Sequence, residues 1–188
     1  MKNLKSIALA LVVVFSAAIS TAQTKKVDVS KSNIKWVGKK VTGQHEGTVN
    51  FKEGTLIFKK NKLAGGTFTV DMNSLTATDL NGEYLDKLNG HLKADDFFAT
   101  DKFATSILVF KTIATKSNNV YTVTADLTIK GKTNPVTFDM TVTANKATAA
   151  LKIDRTKYDI KYKSGSFFEN LGDKAIYDDF ELNVALQF

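Results

Sequence analysis

The sequence predicts an all-β protein, an eight-stranded antiparallel barrel with one short helix. Apolar and polar residues alternate with a period of two along most of the chain after residue 22, a pattern typical of strands with one buried and one wet face. Turn-forming residues separate these segments at short intervals. Strands joined by short hairpins favour a mainly antiparallel sheet.

Three segments alternate most regularly: 120–130, 136–144 and the C-terminal 180–188. In the first, residues such as Val123 and Leu127 point to one side and threonines to the other, and threonine also favours strand geometry. Weaker alternation marks five further strands, at 33–41, 46–60, 63–73, 103–116 and 147–154.

Two stretches break the alternation. Residues 79–98 space leucines such as Leu85, Leu88 and Leu92 at helical intervals, so we expect one short helix there, across an end of the sheet. Residues 156–177 contain lysines, tyrosines, glycines and an adjacent pair of phenylalanines, and we expect a long loop.

One-sided strands must bury their apolar faces. Closure into an up-and-down barrel removes both the exposed edges and the apolar surface, and short hairpins without long crossovers favour it. A two-sheet sandwich is the alternative. The interior of an eight-stranded barrel is wide enough either to be filled by side chains or to hold one ligand.

The N-terminus has the features of a secretory signal peptide. Lys2 and Lys5 precede a 13-residue apolar run, and Ser20 and Ala22 are small residues before a cleavage position near Ala22. The run is shorter than the ~20 residues of a membrane-spanning helix, although an N-terminal anchor is the alternative. We therefore expect a signal peptide at 1–22, a single domain at 23–188, and a periplasmic or secreted protein.

Composition excludes several classes. The chain has no cysteine, which excludes a disulfide scaffold, a zinc finger, an iron–sulfur protein, a cysteine nucleophile and a lipoprotein anchor. His45 and His91 are the two histidines, and no second ligand stands at metal-binding spacing from either, so no metal or cofactor is expected. The 26 basic residues are spread along the chain, which argues against nucleic acid. A net charge of +7 fits solubility or attraction to anionic membrane surfaces.

Six short stretches follow one another in a characteristic order: NIKW (33–36), GQHEG (43–47), GTFTVDMNS (66–74), LKADDFF (92–98), LTIKGKTNPV (127–136) and IDRTKY (153–158). Together they resemble the lipid/polyisoprenoid-binding YceI-like family of exported bacterial proteins, over nearly the whole mature chain. The fifth stretch is the most specific. The later SGSFFENLGD (164–173) looks like a subgroup feature.

The resemblance implies a lipocalin-like barrel, often dimeric, with a long apolar channel that holds an isoprenoid, a quinone or another long-chain amphiphile. It does not imply lipocalin ancestry, because Ile34 stands where the glycine of the lipocalin Gly-x-Trp motif would be.

The candidate ligand-binding residues fall into two groups. The candidate lining is inward-facing and apolar: Phe51, Phe58, Phe68, Phe110, Leu127 and Phe138. A filled core is the equal alternative for these side chains. The candidate mouth has polar and aromatic members: His91, Lys93, Asp95, Asp96, Phe97 and Phe98.

Three further residues complete the candidate site. Arg155 is the sole arginine, and its guanidinium suits bidentate binding of phosphate or carboxylate. Its alternative role is a structural ion pair, with Asp154 or Asp159. Trp36 is either a ligand contact or a core residue. Tyr158 belongs to the last family stretch.

The sequence thus favours an exported carrier that binds a lipid without chemical change. One alternative is an enzyme that acts on a lipid head group with Asp95 or Asp96 and His91, which would require these side chains to converge. The paired acids 95–96 and 178–179 are otherwise solvated loop charges. Another alternative is a structural or stress-response barrel with a solid core and a protein partner.

Overall fold

The computed structural model describes residues 22–188. The expected signal peptide therefore lies outside the described residues, except for Ala22. The described residues form one α-helix, α1 (Gly82–Lys93), and nine strands: β1 (Gln23–Lys26), β2 (Asn33–Lys40), β3 (Gly43–Lys59), β4 (Lys62–Ala77), β5 (Thr105–Ser117), β6 (Val120–Ile129), β7 (Lys132–Val142), β8 (Lys146–Asp154) and β9 (Ile176–Gln187).

Eight of the strands close into an antiparallel barrel, as the sequence predicts. Around the barrel the order is β3-β2-β9-β8-β7-β6-β5-β4, and β4 pairs with β3 to complete the circle. The short β1 was not predicted. It pairs with Thr55–Phe58 of β3, beyond the part of β3 that pairs with β2.

The largest differences from the predicted boundaries have local causes. The helix is shorter than 79–98, because residues 94–98 turn back on hydrogen bonds to the end of α1. β7 begins four residues before 136, since Pro135 is accommodated in the strand opposite Asp126. The expected loop 156–177 carries two 3₁₀ turns, Arg155–Tyr158 and Gly172–Lys174.

Two tight hairpins require left-handed backbone. Lys60 and Asn61 have φ of 50° and 60°, and Lys130 and Gly131 have φ of 50° and 70°. Two consecutive residues with positive φ match the right-handed twist of antiparallel strands, which explains the asparagine and the glycine in these turns.

The long strand β3 bends where it passes from one neighbour to the next. Its pairing with β4 shifts register three times, and such bulges increase local twist. Gly47 lies where the wall is tightest: a Cβ there would be 2.0 Å from the carbonyl oxygen of Thr76 and 2.5 Å from the indole of Trp36. Because Gly47 has no side chain, the indole of Trp36 can pack directly against the backbone of β3.

The two ends of the barrel are covered differently. We call the end where β8 finishes and β9 begins the mouth end; α1 and residues 94–103 lie over it. The opposite end, which holds the β3–β4 turn and β1, is the hairpin end. There the rings of Phe58 and Phe188 pack with centroids 5.8 Å apart, and the ammonium of Lys25 lies about 5 Å from both.

The core is the interior of the barrel. On β6 every second residue, from Tyr121 to Ile129, is buried, and the residues between them are more exposed. This is the predicted alternation. No helix within residues 22–188 is long and apolar enough to cross a membrane.

Candidate functional site: an apolar cavity inside the barrel

The interior of the barrel is hollow. The cavity volume is about 170 Å³, counted as the space that the centre of a water molecule can reach. A single water needs only ~10–15 Å³ on this measure. Side chains from Ile34 to Lys39 on β2 and from Phe180 to Leu186 on β9 line it, so it extends ~20 Å along the strands.

One wall of the barrel interior is aromatic. Phe51, Phe68, Phe110 and Phe138, from β3, β4, β5 and β7, stand in a row with successive ring centroids 5.6–6.1 Å apart. Tilted and edge-on ring pairs at this spacing are favourable. Phe51, Phe68 and Phe138 face the empty space, which lies between this row and the strands β2, β8 and β9.

The opposite wall includes small side chains on β8, which leave room inside the barrel. The inward positions of β8 include Ala147 and Ala149, both buried, and Ala149 faces the cavity. Its pairing partner on β9 is Val184, which also lines the cavity and is only partly buried. Alanine leaves unfilled the volume that a phenylalanine would occupy across the barrel.

The mouth opens where β2 and β9 lose their register. Gly38 pairs with Phe180 but Lys40 pairs with Ile176, so three residues of β9 stand opposite one residue of β2. Such a bulge interrupts the ladder and bends the strand. The residues at this irregularity, Lys39, Tyr177 and Asp179, line the opening of the cavity.

Ion pairs flank this opening on the outer surface. Lys39 Nζ lies 2.5 Å from Glu181 Oε1, and Lys152 Nζ lies 2.8 Å from Asp179 Oδ2. The Lys152 pKa is raised by the hydrogen bond to Asp179 and by its charge. Because all four side chains are substantially exposed, these pairs contribute little stability, but they give the mouth charges of both signs.

Arg155 is a structural brace at the mouth. Its side chain is 2% exposed. Nη1 donates to the carbonyl of Ile160 (2.7 Å), Nη2 to that of Ile176 (3.0 Å) and Nε to that of Tyr177 (3.1 Å). Burial lowers the pKa of Arg155, and the nearby carboxylates oppose this shift. Its guanidinium thus fixes the start of β9.

The carboxylate beside Arg155 is neither Asp154 nor Asp159, the partners considered from the sequence. Asp178 Oδ1 lies 3.5 Å from Nη2 of Arg155, and Asp178 Oδ2 accepts from the hydroxyl of Ser166 at 2.5 Å. Burial raises the pKa of Asp178, but the hydroxyls of Ser164 and Ser166 and the charge of Arg155 outweigh it, so the pKa lies below its usual value. Asp178 is therefore not a solvated loop charge.

The segment after α1 lies over the mouth end. Phe98 meets Phe180 edge-on at 6.3 Å, and the Arg155 guanidinium lies 5.9 Å from the ring centre of Phe97. Asn89 attaches the helix to β4: its Oδ1 accepts from the Ala77 backbone N–H and its Nδ2 donates to Thr76 Oγ1.

Most of the residues selected from the sequence border the cavity. They share an inward-facing or mouth-end position: Trp36, Phe51, Phe68, Phe97, Phe98, Leu127, Phe138 and Arg155. Contact between these residues and a ligand stays a prediction.

Five selected residues do not line the cavity. Phe110 stands within the aromatic row, and Phe58 packs at the hairpin end. Tyr158 is buried at the mouth end, its hydroxyl has no hydrogen-bond partner among residues 22–188, and burial raises its pKa to about 12. His91 lies between the rings of Phe97 (5.3 Å) and Tyr162 (4.4 Å). Asp95 is exposed.

The polar residues of the predicted mouth are directed elsewhere. Asp95 accepts from Lys102 Nζ at 2.6 Å, and Lys93 Nζ donates to the backbone carbonyl of Asn73. Asp96 is exposed. Across the described part of the chain, no hydrogen bond joins His91 to Asp95 or Asp96, so these side chains do not form the acid–base group that an enzyme would need.

Sequence analysis missed the polar residues of the actual opening. Lys39, Tyr177 and Asp179 border the cavity at a strand irregularity, and a register shift leaves no signal in alternation. Ala149 could have been found, since alternation on β8 places it inward and its small size is visible in the sequence.

A closed eight-stranded barrel with an apolar hollow and a polar mouth defines the class of small barrels whose interior can hold one ligand. The particular family follows from sequence: residues 26–188 match the YceI-like domain, and the chain belongs to this family. A "UPF0312 protein" of Shewanella denitrificans is 35% identical over 91 residues, which are 48% of this chain and 46% of that relative.

Solved structures with this fold include the BcnA protein of Burkholderia cenocepacia, which is 26% identical with a TM-score of 0.69 over 85% of this chain and 98% of that one. A polyisoprenoid-binding domain from Saccharophagus degradans, implicated in plant cell wall breakdown, is 15% identical with a TM-score of 0.56 over 86% and 95%. The YceI protein of Campylobacter jejuni is 19% identical with a TM-score of 0.55 over 74% and 84%.

Proposed function

We propose that this protein is an exported carrier that holds a polyisoprenoid, a quinone or another long-chain amphiphile in its barrel and does not change it chemically. The observation that carries the proposal is the continuous apolar cavity that opens at a polar mouth. Family membership supports it, as does the polyisoprenoid-binding domain of similar fold.

The shape and chemistry of the cavity suit an extended hydrocarbon chain. Each buried methylene contributes ~0.8 kcal/mol without directional contacts, so a chain along the aromatic wall would be held firmly but with little discrimination. The head group would lie at the mouth, among Lys39, Tyr177 and Asp179. Because the donors of Arg155 are largely occupied by backbone carbonyls, Lys39 is the better candidate to contact a head group.

Native mass spectrometry of protein purified from the exported fraction of expressing cells, with lipid extraction of the same sample, tests the proposal. We expect a bound mass that organic solvent removes and an N-terminus near Gln23. Trp36 is the sole tryptophan and lines the cavity, so its fluorescence should be quenched when brominated palmitate is added. Protein that is always empty and shows no quenching would contradict the carrier function.

A matched pair of variants separates cavity binding from surface binding. Ala149→Trp places an indole in the cavity, whereas Ala150→Trp places it on the outer face of the same strand. We expect Ala149→Trp to reduce lipid loading at least about tenfold, because it removes room for several methylenes, and Ala150→Trp to leave it unchanged. Ala149→Leu, a smaller change, should give an intermediate loss and guards against misfolding of the larger variant. Equal loading of all four proteins would place the lipid outside the barrel.

A further inference from the structure

Two phenylalanines beside the mouth are left exposed. Phe167 and Phe168 are each 51% exposed, and neither lines the cavity. They belong to the stretch 164–173, which is not among the sequence features that define the barrel. Adjacent exposed aromatic rings are uncommon unless they meet an apolar partner.

The turn that carries these rings has a fixed base. Ser164 is fully buried, and its carbonyl accepts from the backbone N–H groups of Phe167 (3.1 Å) and Phe168 (2.9 Å). Next to them, the hydroxyl of Ser166 donates to Asp178. The outward direction of the two rings is therefore set by hydrogen bonds to a buried residue and to β9.

The same turn is attached to the rim of the cavity. Ser164 forms a parallel bridge with Ile176, whose backbone N–H donates to the carbonyl of Lys163 at 2.9 Å. Ile176 and Tyr177 line the mouth, and Tyr177 is itself 54% exposed. The exposed aromatic surface thus continues into the opening through which a lipid would pass.

Two lysines of the same segment lie against aromatic rings, one of them against Phe167. The ammonium of Lys161 lies 4.9 Å from the ring centre of Phe167, and that of Lys163 lies 5.1 Å from the ring of Tyr162. Within residues 22–188, Lys163 forms no ion pair, whereas Lys161 is shared with the exposed Asp159. Lysine stems that lie along aromatic rings keep their charges at an apolar surface, an arrangement suited to a membrane interface with acidic lipids.

We propose that Phe167 and Phe168, together with Lys161 and Lys163, dock the mouth of the barrel on an anionic lipid bilayer. This docking surface rests on the proposed carrier function, since docking would bring the cavity to the membrane that supplies or receives its lipid. The rings insert at the head-group boundary and the lysines contact acidic head groups. Apolar contact and charge act together, because either signal alone gives weak membrane binding.

Flotation with vesicles of phosphatidylcholine, with and without phosphatidylglycerol, tests the docking surface. We expect the native protein to float with the phosphatidylglycerol vesicles. The double variant Phe167→Ser/Phe168→Ser should partition at least about tenfold less, the effect of withdrawing roughly one buried phenyl ring. The matched control is Ile107→Ser/Val109→Ser, which removes two apolar side chains of 38% and 37% exposure from the outer face of β5 and should float like the native protein.

Charge reversal tests the contribution of Lys161 and Lys163 to the docking surface. Lys161→Glu/Lys163→Glu should abolish the preference for phosphatidylglycerol, while Lys59→Glu/Lys62→Glu, the same change at the hairpin end, should not. Docking would be refuted by native protein that does not float, by unchanged flotation of the phenylalanine variant, or by equal losses in a variant and its control.

Lipid loading distinguishes this proposal from the carrier function. Brominated palmitate added without vesicles should still quench Trp36 in Phe167→Ser/Phe168→Ser, because binding from solution needs no membrane contact, and Ala149→Trp should still float. If the phenylalanine variant lost this quenching as well as its flotation, the two rings would be part of the lipid site itself and docking would be overturned. If Ala149→Trp and native protein were both empty but floated, the carrier function would fail and docking would stand.

Discussion

The mouth end and the hairpin end close the same barrel by opposite means. At the hairpin end Phe58 and Phe188 pack ring against ring, and Lys25 spans them while donating to the carbonyl of Ala144. At the mouth end the buried Arg155 donates hydrogen bonds to three backbone carbonyls, and the pairing of β2 with β9 is interrupted by a register shift. Packed aromatic rings close the hairpin end. At the mouth end, the hydrogen bonds of Arg155 hold the neighbouring backbone in place without filling the space between the strands.

The largest expected difference between the ends comes from two glycines. Gly47→Ala puts a methyl group 2.0 Å from a backbone oxygen, which cannot move independently of β4, whereas Gly65→Ala at the hairpin end meets only the flexible side chain of Ile57 at 3.2 Å. We expect the first variant to lose more than about 3 kcal/mol of unfolding free energy, or to fail to fold, and the second to change by less than about 1 kcal/mol. Urea unfolding measures both. Equal stabilities would mean that the wall at Gly47 is not tight.

The next largest difference concerns the two cations. Arg155→Met leaves three carbonyls without their donors and should destabilise the protein by about 3 kcal/mol. Lys25→Met removes a partly buried lysine whose hydrogen bond to Ala144 is solvent-exposed, and it should change stability by less than about 1 kcal/mol. Arg155→Lys should not restore the loss, because an ammonium lacks the planar fork that reaches three acceptors. Thermal and urea unfolding of the three variants test this, and full rescue by lysine would contradict the brace.

Acid should affect the two ends unequally. Asp178 and Asp28 both have lowered pKa values; that of Asp28 is about 2, through hydrogen bonds with Lys31 and Ser30. A lowered carboxyl pKa gives stability that is complete above the unfolded value near 3.8 and is lost as the pH falls through the folded value. The partners of Asp28 are within three residues and partly persist in the unfolded chain, whereas Asp178 depends on the folded mouth.

We therefore expect Asp178→Asn to flatten the decline in stability below about pH 5, and Asp28→Asn to alter it only slightly, less still in high salt. Urea unfolding at a series of pH values distinguishes the two variants. A steeper effect of Asp28→Asn would show that the exposed pair at the hairpin end is the more important one.

The smallest difference is expected from two tyrosines. The hydroxyl of Tyr158 is buried at the mouth end, and no described residue is its hydrogen-bond partner, so Tyr158→Phe should be neutral or stabilising by up to about 1 kcal/mol. Tyr121→Phe, on β6 toward the hairpin end, should lie within about 0.5 kcal/mol of the native protein. Thermal unfolding and lipid loading are the measurements. Loss of lipid in Tyr158→Phe would mean that this hydroxyl reaches the ligand.

The alternation of apolar and polar residues was sufficient to predict the barrel strands, because one face of each strand packs in the interior and the other faces solvent. β6 shows this most clearly, with Tyr121 to Ile129 buried at every second position. β1 escaped prediction because Gln23–Lys26 is polar and mostly exposed; it adds to an edge of β3 rather than covering the core. The start of β9 was also missed, since its first residues are bulged.

The hollow was harder to predict than the barrel. An inward phenylalanine such as Phe51 or Phe110 satisfies the same pattern whether it faces a cavity or another ring. The two cases differ in how much volume the side chains across the barrel fill, and here Ala149 fills little. The sequence does not show which strand lies across the barrel, because that requires the pairing of strands that are distant in the chain. The mouth depends on a three-against-one irregularity that no periodic pattern encodes.

The inward alanine at position 149 sets the width of the barrel interior at this level. Ala149 is a buried residue that lines the hollow and lies apart from the hairpins and from the brace at Arg155. The width of the interior can therefore change while the hairpins and the brace stay the same. A series of increasingly large side chains at position 149 would give a set of barrels whose interiors differ only in width.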